Sequence, residues 1–450
     1  MRLFGTDGIR GEVGKYPLTP ENVLKLAKAS SIVLRKKNSI SRVVINKDTR
    51  LSGYIFEPAL TSGFLSMGIE VILVGPLPTP ALTVLGKSLR ADFSVMITAS
   101  HNPYRDNGLK FFSGQGLKIS PEEENKIEDL FFNYDFDNFK IKQSNYGKAI
   151  RLKNALGRYS EALKHSADRN LNYSQLKVTL DCANGASYKV APEVLFELGL
   201  DLHTIGNNPS GTNINQNCGS LFPHKASDLV KKKRCDIGIC LDGDGDRVII
   251  IDEKGNVLNG EEIIFIFAKH YLHEKKIKKG SVLITNEVAN HGLDIALKKL
   301  GLKLKRVKVG DKNILKEILD NKYFFGGEPS GHFIFKDDIL IGDGMATAIR
   351  LLTLILKEKK KLSELRNGID LLEELNINQR IDRERFYLNQ ESIYKKLNIL
   401  LKNLDIYYNI RPSGTEPLLR VNLQYHKRNI KVITLNKLKK QIIKVISDAC

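Results

Sequence analysis

The sequence has no tryptophan, four methionines and five cysteines among its 450 residues. An odd, scattered set of cysteines in a long chain predicts free thiols in a reducing compartment, not a disulfide framework. Cys235 and Cys240 are close in sequence, but no second pair and no nearby histidine completes a zinc site. The cysteines therefore favour neither a small secreted protein nor a zinc protein.

Long apolar runs are also absent. No segment approaches the roughly 20 apolar residues of a membrane helix, and the opening MRLFGTDGIRGE lacks the apolar core of a secretory signal. We therefore expect a cytoplasmic protein with no membrane partner. With 42% apolar and 27% charged residues, the chain has a globular composition. Its length suggests three or four domains of about 100–150 residues each.

Acidic residues are fewer than basic ones, 51 against 70, which gives a formal net charge of +19. One interpretation is a basic nucleic-acid-binding protein. The basic residues are dispersed in short runs, such as 231–234 and 357–361, without interleaved aromatic residues, which favours a solvated lysine-rich surface. A positive field also attracts anionic small molecules. We expect such a partner and no nucleic acid, and keep nucleic-acid binding as the remote alternative.

A weak internal repeat predicts the architecture. Three segments share the order helix end, glycine, strand, glycine: 64–75, 195–206 and 297–310. A strand and a polar loop precede each of them, at 43–50, 177–186 and 281–292. This order is a βαβ unit, whose crossover makes the strands parallel. The sequence therefore predicts three similar α/β domains.

From about Leu371 the pattern changes to strand, long helix, two strands and a final helix, which predicts a smaller α+β domain. We place the domains at 1–150, 151–253, 254–368 and 369–450.

The loop TASHNP follows the apolar end of a predicted buried strand, at residues 98–103. Ser100 stands beside His101, but no G-x-S-x-G motif surrounds it, so a hydrolase nucleophile is not indicated. Taken alone, Ser100 is a turn or N-cap serine. His101 could act as an acid, as a base or only as a hydrogen-bond donor to phosphate.

The segment DGDGDR places Asp242, Asp244 and Asp246 between two apolar strands. Three carboxylates this close repel one another, so they predict a hard cation such as Mg²⁺. An EF-hand is excluded because its sixth position, which needs glycine, is Arg247 and because the flanks are strands. A phosphate on Ser100 would supply a further metal ligand, and Lys110 and Arg10 would neutralise it. If a helix or nest begins after Ser100, its backbone N–H groups would cradle the phosphate.

Two later loops carry polar side chains among glycines. GGEPSGH, at 326–332, offers an acceptor, a hydroxyl and an imidazole suited to sugar hydroxyls, from Glu328, Ser330 and His332. RPSGTEPLLR, at 411–420, predicts a phosphate cradle, with these residues: Arg411, Ser413, Gly414, Thr415 and Arg420. Taken alone, the second loop could equally be a hairpin turn.

In this order, the four motifs resemble those of the α-D-phosphohexomutase superfamily over essentially the whole chain. The resemblance implies three α/β domains with mixed sheets and a C-terminal α+β lid around a central cleft. It implies an isomerase that moves a phosphoryl group within a phosphosugar, through phosphorylated Ser100 and a bisphosphorylated sugar. Implied cofactors are Mg²⁺ and a hexose 1,6-bisphosphate activator. We expect a monomer or a homodimer, between which the sequence does not decide.

The resemblance also assigns roles. Ser100, Asp242, Asp244 and Asp246 would hold the metal. Catalytic residues would be Ser100, His101, Lys110, Arg10 and Arg247, with Lys110 the better-placed proton-transfer group. Glu328, Ser330 and His332 would bind the sugar, and the 411–420 loop its other phosphate.

Further segments, including KDTRLSGY at 47–54 and VGDKNI at 309–314, resemble the branch that acts on amino-sugar phosphates, feeding cell-wall precursor synthesis. Asp311 stands where glucose- and mannose-directed relatives tend to carry histidine, which favours the amino sugar. Pro329 departs from the branch, which usually has Gln or Asn there, so the detailed sugar specificity stays open. The alternative is a glucose or mannose phosphomutase of the same superfamily.

Overall fold

The protein is described from a computed structural model. The structure describes residues 2–5, 7–35, 41–139, 141–336, 341–402, 404–412, 417–426 and 432–449. By their contacts, the residues group into two compact units, Met1–Ile277 with Gly310–Asn367, and Lys278–Val309 with Gly368–Cys450. Within the described residues, no helix combines the length and apolar character that crossing a bilayer requires.

The first third of the chain forms a six-stranded sheet with helices packed on it. In chain order its elements are β1 (Ile9–Glu12), α1 (Pro20–Leu34), β2 (Arg42–Lys47), α2 (Gly53–Ser66), β3 (Glu70–Leu73), α3 (Ala81–Ser88), β4 (Phe93–Ile97), β5 (Asp106–Ser113), α4 (Pro121–Asn133) and β6 (Ala149–Arg151). The strand order is β1-β5-β4-β2-β3-β6. β2 is parallel to β3 and β4, and β5 is antiparallel to β4 and β1, so the sheet is mixed.

Local sequence explains why these elements begin where they do. β4 is buried along its whole length, as expected for a central strand covered on both faces. Thr19 caps α1 by accepting from the Asn22 N–H, and Pro20 occupies the first turn. Ser120 and Glu123 form a capping box at the start of α4.

The second part of the first unit contains a five-stranded mixed sheet. Its elements are α5 (Ala155–Lys164), β7 (Lys177–Asp181), α6 (Val190–Glu197), β8 (Asp201–Ile205), α7 (His224–Lys233), β9 (Ile237–Leu241), β10 (Val248–Asp252) and β11 (Val257–Leu258). The order is β11-β10-β9-β7-β8, with β7 parallel to both β8 and β9 and β10 antiparallel to β9.

The elements that follow in the chain are divided between the two units. They are α8 (Gly260–His273), β12 (Val282–Asn286), α9 (Gly292–Lys299), β13 (Lys303–Val307), α10 (Asp311–Asn321), β14 (Phe325–Gly327), β15 (Phe333–Phe335), α11 (Gly344–Glu358) and α12 (Leu362–Leu365). β12, α9 and β13 belong to the second unit, where β12 is parallel to β13. β14 and β15 form an antiparallel pair in the first unit.

The C-terminal part of the second unit is a three-stranded antiparallel sheet with two helices. Its elements are β16 (Glu373–Arg380), α13 (Arg383–Leu401), β17 (Ile406–Pro412), β18 (Leu418–Tyr425) and α14 (Val432–Ser447). β18 lies between β16 and β17. The predicted order of strand, helix, two strands and helix is confirmed.

The predicted repeat is also confirmed. α2, α6 and α9 are each followed by a glycine with positive φ and then by a strand. The glycines are Gly68 (φ 77°), Gly199 (φ 88°) and Gly301 (φ 75°). Such a left-handed residue ends a helix at little cost only when it is glycine. The repeated glycine therefore marks the turn from helix to parallel strand in three α/β domains.

Two helical glycines predict opposite effects on stability. A Cβ on Gly63, in α2, would lie 2.6 Å from the Ala27 Cβ and 2.7 Å from the Leu24 carbonyl oxygen of α1, whereas a Cβ on Gly157, in α5, meets nothing within 4 Å. Gly63→Ala should therefore cost about 1–3 kcal/mol through overpacking. Gly157→Ala should be stabilising, by about 0.5–1 kcal/mol. Thermal unfolding of both variants tests this, and a Gly63→Ala variant as stable as wild type would contradict the close helix contact.

Candidate active site

The Ser100 loop begins directly after β4. Ser100 is fully buried, and its backbone adopts a positive φ of 51°, a conformation that residues other than glycine rarely take. Its N–H donates to the Thr98 Oγ1 at 2.9 Å. No helix begins here; residues 100–102 form turns between β4 and β5. The local backbone is therefore a strained turn held by its surroundings.

The acidic loop lies between β9 and β10, as predicted, and meets the Ser100 loop. Asp242, Asp244 and Asp246 are buried, and each offers a carboxylate oxygen within 4.8 Å of the others. The Ser100 hydroxyl donates to the Asp242 Oδ2 at 2.7 Å. The tertiary structure thus brings together a serine and three carboxylates that the sequence separates by about 140 residues.

The donor set of this acidic cluster suits a hard cation. The Oδ1 atoms of Asp244 and Asp246 are buried and have no hydrogen-bond partner among the described residues. Burial, together with Asp246 and Asp244, raises the pKa of Asp242 well above its usual value. Carboxylate oxygens are the ligands that Mg²⁺ takes in proteins. The residues present therefore fit a magnesium ion, with the Ser100 oxygen in reach of the same cluster.

Lys110, on β5, supplies a buried positive charge to the cluster. Its Nζ lies 2.8 Å from the Asp244 Oδ2, 3.2 Å from the Asp246 Oδ2 and 3.0 Å from the Asp7 Oδ2. Burial alone would lower the pKa of Lys110, but Asp244, Asp246 and Asp7 outweigh burial and raise it well above its usual value. Lys110 is therefore held as an ammonium ion.

A chain of alternating charges continues from Lys110 towards the GGEPSGH loop. Asp7 also binds the Lys118 ammonium, which donates to the Asp311 Oδ1 at 2.7 Å. The Asp311 Oδ2 lies 3.6 Å from the His332 Nε2. Burial would raise the pKa of Asp7, but Lys110, Lys118 and Arg10 hold it well below its usual value. Asp311 therefore already has Lys118 as a charged partner.

The remaining predicted catalytic side chains lie beside the Ser100 loop or the acidic loop. Arg10 pairs with Asp7, and its Nη1 lies 3.5 Å from the Ala99 carbonyl oxygen. The Nε of Arg247 lies 3.8 Å from the Asp246 Oδ1. The His101 Nδ1 is 3.2 Å from the Ser100 Oγ. Burial, then Arg247 and Arg10, lowers the pKa of His101 to about 4, so its imidazole is neutral near pH 7.

The GGEPSGH motif begins in β14, and its residues 328–332 connect β14 to β15. Glu328 is buried, and its carboxylate accepts from the Gly310 N–H and from the Ser330 hydroxyl, both at 3.2 Å. Ser330 is exposed and His332 is buried. Pro329 stands between the two side chains that share this hydrogen bond. The loop thus presents an acceptor and a hydroxyl that are already oriented by each other.

The predicted phosphate cradle is described only in part. Arg411 lies on β17 directly opposite Arg420 on β18. Ser413, Gly414 and Thr415 lie outside the described residues. Both guanidinium groups therefore belong to one sheet of the second unit, at the end of the strand pair next to that loop.

Five residues that contact the site were missed as functional candidates: Asp7, Asp48, Arg50, Thr79 and Asn215. The Thr79 hydroxyl donates to the Asp244 Oδ2 at 2.6 Å. Asp48 and Arg50 directly follow the buried strand β2, which is the same strand-end signal that pointed to Ser100. Asn215 carries no such local signal, because only the tertiary contact distinguishes it from the other asparagines of its loop.

Family models match most of the chain. Residues 1–138 match domain I of phosphoglucomutase/phosphomannomutase, residues 157–255 match domain II, and residues 259–371 match domain III, each described as an alpha/beta/alpha domain. Three similar α/β domains are therefore confirmed.

Curated relatives match over nearly the full length. The chain is 44% identical to a phosphoglucosamine mutase of Geobacter sp. (strain M21) over 94% of this chain and 93% of that protein. It is 42% identical to a phosphoglucosamine mutase of Thermodesulfovibrio yellowstonii over 94% and 95% of the two chains.

Solved structures share the fold at lower identity. A phosphoglucomutase/phosphomannomutase family protein of Burkholderia thailandensis superposes with a TM-score of 0.81 at 22% identity, covering 99% of this chain and 97% of that one. An N-acetylphosphoglucosamine mutase of Aspergillus fumigatus, in complex with GlcNAc-6P and magnesium, gives 0.66 at 15% identity over 100% and 96%. With three family models matched and relatives above 40% identity, the chain belongs to the phosphoglucomutase/phosphomannomutase family and is an isomerase of the mutase type.

Proposed function

We propose that the protein interconverts glucosamine 6-phosphate and glucosamine 1-phosphate through a phosphorylated Ser100 and a bisphosphorylated sugar. The observation that carries this proposal is the 2.7 Å contact between the Ser100 hydroxyl and the buried acidic cluster. The choice of amino sugar rests on the curated relatives, which are phosphoglucosamine mutases at 42–44% identity. The product would feed amino-sugar and cell-wall precursor synthesis.

The proposed reaction has two balanced halves. Phosphorylated Ser100 gives its phosphoryl group to the free sugar hydroxyl: the bond from phosphorus to the Ser100 Oγ breaks, a bond to the sugar oxygen forms, and the hydroxyl proton ends on Ser100. The bisphosphorylated sugar then turns over. In the second half Ser100 attacks the other phosphate, its proton passes to the released sugar oxygen, and the phosphoenzyme is restored.

Each side chain in the cluster has a defined task in this proposal. Asp242, Asp244 and Asp246 would hold Mg²⁺, which neutralises charge on the transferring group when it is bound. Lys110, an ammonium ion, adds a donor to that group and is our candidate for relaying the proton from the sugar hydroxyl to the Ser100 Oγ. Arg247 adds a second positive charge beside Asp246.

Sugar and anchoring roles follow from the other loops. We assign Glu328, Ser330 and His332 to the sugar hydroxyls, and Arg411 with Arg420 and the loop 413–415 to the phosphate that is not reacting. Arg10 and His101 flank Ser100 and orient the phosphoserine. A hexose 1,6-bisphosphate would prime the unphosphorylated enzyme. We also propose the four-domain division at 1–150, 151–253, 254–368 and 369–450.

The first test concerns the donor itself. Unphosphorylated enzyme given only glucosamine 6-phosphate has no phosphoryl group to lend, so its turnover should be very low until a hexose 1,6-bisphosphate is added. The intact mass of active protein should show one phosphoryl group, located on the peptide that contains Ser100. Ser100→Ala should lose activity that bisphosphate does not restore. Glucose and mannose phosphates assayed in parallel identify the preferred sugar.

Ser94→Ala is the matched control for Ser100→Ala. Ser94 is a buried serine of β4 whose hydroxyl has no hydrogen-bond partner among the described residues. This variant should keep both the phosphoryl group and the activity. Full activity in protein shown to be unphosphorylated, with no bisphosphate present, would end the proposed mechanism.

The second test concerns the metal. Asp244→Asn is nearly isosteric but removes one negative charge from the cluster, so Mg²⁺-dependent turnover should fall at least about a hundredfold. Calorimetric titration with Mg²⁺ should show a matching loss of affinity. Asp252→Asn alters another buried aspartate, which accepts from the Lys254 and Asn256 N–H groups at the far end of β10, and should leave metal affinity unchanged. Wild-type metal affinity in Asp244→Asn would exclude the assigned site.

The third test concerns the phosphate anchor. Arg411→Ala should weaken binding of glucosamine 6-phosphate and glucosamine 1-phosphate by similar factors of about ten or more, since the anchor must serve each phosphate in turn. Arg234→Ala, at the exposed C-terminal end of α7, is the control and should change neither affinity. A loss confined to one of the two sugar phosphates would contradict a shared anchor.

A further inference from the structure

Arg50 is a charged residue with no place in the chemistry described above, yet it is among the largest fully buried side chains of the described residues. It lies in the loop after β2, and its Nε donates to the Asp48 Oδ2 at 2.8 Å. Its two terminal nitrogens donate to four backbone carbonyl oxygens, which belong to the same turn: Ser100 and Asn102, each at 2.9 Å, Pro103, and Asp106 at 3.0 Å. One guanidinium group thus binds the whole Ser100 turn from β4 to β5.

Asn215 contacts the same turn from a different sheet connection. It lies after β8, and its Nδ2 donates to the carbonyl oxygens of Ser100 at 2.9 Å and Asn102 at 3.0 Å. The Arg50 Nη2 donates to these same two oxygens. Each carbonyl therefore receives two donors, from two separate segments of the chain, and both of its lone pairs are used.

The acidic loop also packs against the Ser100 carbonyl oxygen, at Gly243. A Cβ on Gly243, between Asp242 and Asp244, would lie 2.4 Å from the Ser100 carbonyl oxygen and 2.9 Å from the Asn215 Nδ2. Only glycine leaves room for this approach. The Ser100 carbonyl is consequently fixed by Arg50 and Asn215 and packed against the backbone of the acidic loop.

These contacts hold Ser100 in its positive-φ conformation. A serine in this conformation costs free energy and persists only where its surroundings determine it. Arg50 and Asn215 fix the residue at its carbonyl oxygen, whereas the Ser100 hydroxyl contacts Asp242. Reactions that depend on attack geometry lose up to about a hundredfold in rate for a displacement of about 1 Å.

We propose that Arg50 and Asn215 are positioning residues for phosphoryl transfer. They hold Ser100 in its left-handed conformation, so that its side-chain oxygen faces Asp242. Neither side chain contacts that oxygen. This inference rests on the proposed role of Ser100 and adds to it a prediction about rate: the two residues act on the transfer step and not on sugar binding.

The experiment compares wild type with Asn215→Ala and Arg50→Lys. Asn215→Ala removes two hydrogen bonds without leaving a buried charge unpaired. Arg50→Lys keeps a positive charge next to Asp48 but cannot donate to several carbonyls in a plane as a guanidinium does. Each protein is first phosphorylated with glucose 1,6-bisphosphate, and the loss of the phosphoryl group to glucosamine 6-phosphate is then followed in a single turnover.

We expect the single-turnover rate and kcat to fall about tenfold or more in each variant, while KM for glucosamine 6-phosphate stays within about twofold of wild type. In the double variant the effects should not multiply, because both residues hold the same two carbonyls. All rates are expressed per folded molecule, with the folded fraction taken from circular dichroism and thermal unfolding.

Asn290→Ala is the matched control. Asn290 is an equally buried asparagine that donates from its Nδ2 to a backbone carbonyl, that of Leu372, at 2.9 Å. Its loss should lower stability without changing the rate at which Ser100 transfers its phosphoryl group. An equal fall in that rate in Asn290→Ala would attribute the effect to general destabilisation and overturn the inference.

The remaining outcomes separate this inference from the proposed function. Suppose that wild type carries phosphoserine and that both variants transfer at the wild-type rate, or show only a raised KM. That result would overturn the positioning role and leave the proposed function standing. Wild type that acquires no phosphoryl group on Ser100 would overturn the proposed function and this inference with it.

Discussion

Three carboxylates can be buried side by side only where positive charge is buried with them, and the surroundings of the acidic cluster meet this requirement. Asp242, Asp244 and Asp246 are buried, so their negative charges lose most of their hydration and need compensation. Lys110, on the neighbouring sheet, supplies part of the compensating positive charge. A divalent cation would supply the rest, because two carboxylate oxygens have no hydrogen-bond donor among the described residues. The protein alone compensates the charge of the cluster only in part, which suits a cation-binding site better than a structural core.

The same electrostatic requirement extends beyond the cluster. Asp7 lies between Lys110 and Lys118, and Lys118 lies between Asp7 and Asp311. Each charge has an opposite neighbour, so burial does not leave any of these groups alone. This chain of charges joins the first sheet to the start of α10, which carries Asp311, and to the loop that carries His332. Removing one member would leave its two neighbours with an unbalanced charge in a poorly hydrated place.

The fold accounts for how these groups meet. Ser100 follows β4, Arg50 follows β2 and Asp242 follows β9, so each functional loop begins at the carboxyl end of a strand with a parallel neighbour. In open α/β sheets ligands bind at such ends. The positive φ of Ser100 and the missing Cβ of Gly243 let the two loops approach closely. The strained backbone of Ser100 thus costs free energy but fixes the distance between its hydroxyl and the acidic loop.

The amino-acid sequence alone predicted the repeated α/β pattern, the C-terminal α+β unit and the two loops that carry Ser100 and the three aspartates. These are local signals: a glycine after each helix, apolar strands on both sides of a polar loop, and crowded like charges that need a cation. The folded arrangement alone shows that Lys110 is an ammonium ion shared by three carboxylates, and that Asp311 pairs with Lys118. It alone revealed Arg50 and Asn215 at the Ser100 carbonyl, because their role depends on contacts across 50 and 115 residues of chain. Residue type and spacing report what one segment does, whereas burial and charge compensation depend on which segments the fold brings together.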